Sequence, residues 1–163
     1  MITKISLPLV AFLLSTSANA TNELPRKPYL LTEQAEQIAK LALQECDSIN
    51  VPVSISVVND QGRLLYFYRG KATGSNTIHT SFRKAYTSAS LKIPTSQLTL
   101  AVENKGYTQL GKMEDDILLL PGGLPITYNN IVVGAIGLSG APNPMIEEEC
   151  AKKAIAAFIE KDH

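Results

Sequence analysis

The chain has no tryptophan, only two histidines and two cysteines, and no surplus of either charge among its 15 basic and 15 acidic side chains. The charge balance excludes the basic footprint of a nucleic-acid binder and the polybasic patch of a membrane-surface protein. Cys46 and Cys150 lie far apart in sequence, so the close Cys/His spacing of a zinc site is absent. His163 ends the chain, where fraying is expected, and any chemistry that needs an imidazole falls to His79. A serine-hydrolase elbow is missing too, since Gly137-Leu138-Ser139-Gly140-Ala141 lacks the closing glycine of G-x-S-x-G. Gly134, Gly137 and Gly140 recur at every third residue, which is not the spacing of a phosphate-binding G-x-G-x-x-G loop. It suits close backbone approach by a packed helix or a flat ligand. The sequence also shows no internal repeat and no low-complexity segment.

What is there begins with a leader. Residues 1–20 read as a secretory signal: Lys4 supplies a positive start, Ile5 to Leu14 an apolar run, and Ala18-Asn19-Ala20 a cleavage site. The run is short for a bilayer span and contains Pro8, which argues against a permanent anchor. The expectation is an exported chain, periplasmic or secreted, starting at Thr21. What remains is the size of one ordinary domain with room for a core.

Residues 21–30, with Pro25 and Pro28, read as an extended lead-in lying on the surface or reaching a neighbouring subunit. From Thr32 to about Ser48 the stripe Ala35, Ile38, Ala42, Cys46, Ile49 has helical spacing. Val53 to Val57 alternates with period two, as a half-buried strand does, and Asp60-Gln61-Gly62 turns it into the strand Arg63 to Arg69. A second helix, capped by Ser75 or Asn76, runs to about Leu91 before Pro94; a short third follows from Thr95 to Gly106. The stretch 105–116 is polar and reads as irregular. Ile117 to Leu138 reads as a three-strand meander, with Pro121-Gly122-Gly123 at one connection and Asn129-Asn130 as a type I′ hairpin turn. Asn143-Pro144 opens a last helix to about Lys161, where Glu147-Glu148-Glu149 complement the dipole of its first turn.

The run Leu118-Leu-Leu-Pro-Gly-Gly-Leu-Pro-Ile through Val132-Val-Gly-Ala-Ile-Gly-Leu-Ser-Gly140 resembles the signature of the HbpS/GlcG haem-binding family, which includes the carboxy-terminal domain of PduO-type corrinoid adenosyltransferases. Leu31-Thr32, the Val57 to Gly62 turn, Lys84-Ala85-Tyr86-Thr87 and Glu149-Cys150-Ala151 fall in the family's order, so the likeness spans residues 31–160 and marks residues 31–163 as one domain. The resemblance implies an α+β domain with a profilin-like five-stranded antiparallel sheet and the N- and C-terminal helices packed on one face. It also implies haem as cofactor and a homo-oligomer, to which the strand Leu64-Leu65-Tyr66-Phe67-Tyr68, apolar on both faces, would contribute. The adenosyltransferase domain of PduO-type proteins is absent from this sequence, so corrinoid adenosylation is not implied.

Lys84, Ala85 and Thr87 match the family's K-A-x-T segment on the ligand-facing helix. On that helix His79 is the candidate axial ligand to haem iron, Phe82 and Tyr86 the wall for the porphyrin face, and Arg83 and Lys84 the partners of its carboxylates. An ordinary amphipathic helix, with Ile78, Phe82, Ala85 and Ala89 inward and His79 at the surface, explains the same residues. Met113, Tyr86 and Tyr107 are the other possible ligands. Glu33 and Glu36 match a Glu-x-x-Glu iron pattern of the family but are equally first-turn acids behind Thr32. If the family's packing of the terminal helices holds, Cys46 and Cys150 come within reach of a disulfide; two buried thiols are the alternative. The functional expectation is an exported haem scavenger, carrier or sensor. A small enzyme degrading haem or acting on an organic acid, and an interaction module without haem, are the rivals.

Overall fold

A computed structural model describes residues 24–161. Its elements are α1 (Thr32–Asp47), β1 (Ser54–Asn59), β2 (Leu64–Tyr68), α2 (Thr77–Leu91), α3 (Thr95–Lys105), a 3₁₀ turn at Leu110–Lys112, β3 (Gly123–Tyr128), β4 (Ile131–Ser139) and α4 (Pro144–Lys161). The leader and His163 lie outside the described residues. No described helix is long and apolar enough to cross a membrane.

The four strands form one antiparallel sheet in the order β2-β1-β4-β3. On one face lie α1 and α4, whose Ala35, Ile38, Ala42, Ala151 and Ala154 bury against Ile55 and Val57 of β1 and Ile136 and Leu138 of β4. The other face is covered by α2, through Ala85 and Ala89 against Val58 and Ala135. The alternation of β1 therefore does not separate core from solvent: Ser54 and Ser56 are fully buried under α2. Their hydroxyls meet Thr77 Oγ1 and Ser81 Oγ, both at 2.9 Å. Small residues let this helix sit close, because a Cβ at Gly137 would lie 2.2 Å from the Ser81 carbonyl oxygen. Of the glycine series, Gly137 alone serves the expected packed helix; Gly134 lies against Val58 and Leu30, and Gly140 against Pro52 and Thr73.

The hairpin turns follow the sequence. Asn129 and Asn130 have φ of 48° and 62°, both positive as a type I′ turn requires. Gly62 has φ 75°, and the Asn59 side chain accepts hydrogen bonds from the Gln61 and Arg63 amides at 3.0 and 2.8 Å.

The expected five-stranded sheet is corrected to four strands, because the segment 117–120 does not join the ladder. Three of its backbone groups are satisfied by side chains of α2 and α3. Leu118 N donates to Thr87 Oγ1 at 2.8 Å, the Ile117 carbonyl accepts from Arg83 Nη2 at 2.9 Å, and the Leu119 carbonyl accepts from Thr99 Oγ1 at 3.1 Å. An apolar run bounded by turn residues looks the same in sequence whether strands or helix side chains complete its hydrogen bonds. Thr87→Val keeps the shape and removes that acceptor, so it should destabilise the fold by about 1–3 kcal/mol in urea titration.

Candidate functional site

The four outward candidates on α2 share one stripe, at helical spacings of three and four residues. His79 is exposed, and Phe82, Arg83 and Tyr86 are half-buried. The rings of Phe82 and Tyr86 stand 6.0 Å apart with their planes tilted by 40°. Phe82 leans on the small core cluster beneath α2. Tyr86 lies against the β1–β2 turn, where a Cβ on Gly62 would come within 2.5 Å of its ring. Arg83 is held by the Ile117 carbonyl, and its buried Nε has no hydrogen-bond partner among the described residues.

Lys84, the fifth residue expected to meet a ligand, points the other way. It is 1% exposed and its ammonium pairs with the Glu147 carboxylate, itself 2% exposed. Glu147 Oε1 also accepts from the amides of Gly140 and Ala141, at 2.8 and 3.0 Å. Desolvation pushes the Lys84 pKa down and the Glu147 pKa up, and in each case the partner's charge opposes the shift. Above this pair runs the Pro121-Gly122-Gly123 turn, where a Cβ on Gly122 would lie 2.5 Å from Glu147 Oε2 and 2.9 Å from Lys84 Nζ. Glu148 binds Ser96 Oγ at 2.6 Å and the Gly122 amide at 3.3 Å. Two of the three first-turn acids thus act as specific ties between α4, α2, α3 and the turn, a role that reading them as dipole complements missed. A lysine within an otherwise small-residue helix face, and a Gly-Gly turn, were the available signals.

The remaining candidates are dispersed. Tyr107 and Met113 are exposed in the 106–116 segment. Glu36 pairs with Lys40 one turn on at 2.8 Å, and Glu33 is exposed at the start of α1. Among the described residues no three His, Cys, Asp or Glu side chains group closely enough to hold a bare metal ion. Cys46 and Cys150 are joined in a disulfide between α1 and α4, with Cα atoms 5.6 Å apart.

A four-stranded sheet clamped between a helix pair and a single helix with an aromatic, cationic and imidazole-bearing outer stripe describes a small α+β binding domain. The chain belongs to the family described as haem degrading protein HbpS-like, whose pattern matches residues 30–156. An uncharacterised 15.0 kDa protein from the dhaT–dhaS intergenic region of Citrobacter freundii is 34% identical over 131 residues, 77% of this chain and 89% of that protein. The crystal structure of a double mutant of HbpS from Streptomyces reticuli is similar at a TM-score of 0.77 and 29% identity, over 92% of this chain and 98% of that one. PduOC in its haem complex shares the fold at a TM-score of 0.73 and 23% identity, over 80% of this chain and 95% of that one.

The α2 stripe fits haem in its chemistry. It offers one solvent-facing imidazole, two neighbouring aromatic rings and a half-buried guanidinium. Lys84 does not belong to that set, because its charge is neutralised inside the domain.

Proposed function

We propose that this protein binds haem on the outer face of α2 as an exported scavenger, carrier or sensor, and works as an oligomer. The observation that carries the reading is the single stripe formed by His79, Phe82, Arg83 and Tyr86, in a chain of the HbpS-like family. His79 offers an axial nitrogen, Phe82 and Tyr86 an apolar surface of adjacent rings, and Arg83 a donor for a carboxylate. Bound haem would supply the redox-active iron and the visible chromophore.

Haemin titrated into the purified protein should give a sharp Soret shift that saturates near one equivalent per chain. His79→Ala should abolish the histidine-type spectrum and weaken haemin binding at least tenfold. An unchanged Soret band and affinity in that variant would remove His79 as ligand and direct the search to Tyr86 or Met113.

The family description favours a second reading, in which the protein degrades haem. Loss of the Soret band with release of iron, when the loaded protein is given peroxide, would support it. A stable chromophore under the same conditions would favour carriage or sensing.

A further inference from the structure

A concave site lies on the opposite face of the sheet from α2. It is a cleft of about 760 Å³ between the lead-in, the β3–β4 hairpin and the end of α4, within the size range of small-molecule sites. No residue of α2 lines it. Its walls are fixed at two points. Leu30 is buried in the main core, and Lys27 of the lead-in forms an ion pair with Asp60 at the β1–β2 turn.

The lining has a definite chemical character. Tyr29 and Tyr128, 72% and 60% exposed, stand at the rim on different walls, with Leu31 and Ile159 also exposed and Phe158 beside them. Large apolar side chains left open together around a concavity mark a binding surface rather than ordinary surface scatter. Tyrosines combine a flat apolar face with a polar tip, which suits a planar guest whose edge stays wet. Among the lining residues the one charged side chain is Lys27; the other polar side chains, such as Gln34 and Asn129, are neutral. Lys27 remains half open to solvent despite its partner, at 58% side-chain exposure.

We infer that this cleft is a second ligand site, which takes a planar, mainly aromatic molecule carrying one anionic end. The aromatic body lies between the lead-in and the hairpin, and the anion faces Lys27. The inference stands on the cleft alone and is independent of haem binding at α2.

The probe is 1-anilinonaphthalene-8-sulfonate, a flat aromatic monoanion, with the uncharged naphthalene dye prodan for comparison. The folded protein should bind the sulfonate saturably at one site, with blue-shifted emission. Ile159→Glu and Tyr128→Ala alter exposed positions, so their thermal melts by circular dichroism should match the unmodified protein. Both should weaken both dyes at least tenfold. Lys27→Gln should weaken the sulfonate by up to about fivefold, the range of an exposed charge contact, and leave prodan unchanged. Unsaturable dye binding, or binding indifferent to both Ile159→Glu and Tyr128→Ala, would overturn the site. Equal loss of the two dyes in Lys27→Gln would overturn its preference for an anion. His79→Ala should bind both dyes normally, which separates failure at this cleft from failure at α2.

Discussion

Lys84→Met is expected to destabilise the fold by about 3–5 kcal/mol, because it leaves the Glu147 carboxylate buried without its cation. Both side chains are almost fully buried, and the pair sits where α2, the start of α4, the Gly140-Ala141 loop and the Pro121-Gly122-Gly123 turn converge. Neither charge can be rehydrated without opening that junction. Lys84→Met together with Glu147→Leu removes both charges and should recover much of the loss, since a matched apolar pair avoids desolvating either ion. Urea unfolding followed by circular dichroism measures both variants. A Lys84→Met variant within about 1 kcal/mol of the unmodified protein would show that the pair does not hold the junction.

The same pair sets a pH dependence whose sign follows from burial. Glu147 has its pKa raised above 4.5, so the stability it contributes is present below 4.5 and is lost as pH rises through the folded value. Lys84 has its pKa lowered from 10.5, so its contribution is present above 10.5 and is lost as pH falls through the folded value. The Lys84→Met with Glu147→Leu variant carries neither group and should therefore flatten both the decline that begins above pH 4.5 and the one that begins below pH 10.5. Unfolding free energies at closely spaced pH values give the slope directly.

Much of this fold was written in local chemistry. The apolar stripe of α1 from Ala35 to Cys46 and the positive-φ pair Asn129-Asn130 have one economical reading each, and the structure follows it, whereas Ile49 falls past the helix end and is exposed. Asn143 caps α4 by accepting from the Met145 amide at 3.0 Å, again as its residue type implies. The errors came where long-range partners decide the outcome. Residues 117–120 form no strand because Thr87, Arg83 and Thr99 supply the hydrogen bonds a neighbouring strand would have supplied. Such side-chain partners are invisible to periodicity. Lys84 looked like a surface cation beside Arg83, yet the helix turns it 100° further, toward the sheet side and Glu147, 63 residues away in sequence. His79, Phe82, Arg83 and Tyr86 could be placed on one stripe from spacing alone. That Tyr86 rests on Gly62 could not, because the contact joins a helix to a turn distant in sequence. The cleft between lead-in and hairpin has no sequence signature, since its walls come from three separated segments.

Replacing both cysteines, Cys46→Ala with Cys150→Ala, is expected to destabilise the protein by about 4–5 kcal/mol in the chain-entropy account. The cross-link spans 104 residues, so it closes most of the described chain and removes many extended conformations from the unfolded ensemble. It also fixes α1 to α4, the helix pair that covers one whole face of the sheet. Both residues are fully buried or nearly so, and alanine leaves a small deficit of packing in addition. For a domain of this size the loss corresponds to a fall in Tm of about 10–20 °C. Thiol labelling of the unfolded, unreduced protein checks the premise independently: no modified cysteine is expected, and two would eliminate the bridge. Reducing agent should lower the Tm of the unmodified protein toward that of the double variant and leave the double variant itself unchanged. The contrast matters for the exported reading, because a domain that depends on this bond reaches full stability only in a compartment that lets disulfides form. A double variant as stable as the parent would remove that link between the fold and an oxidising destination.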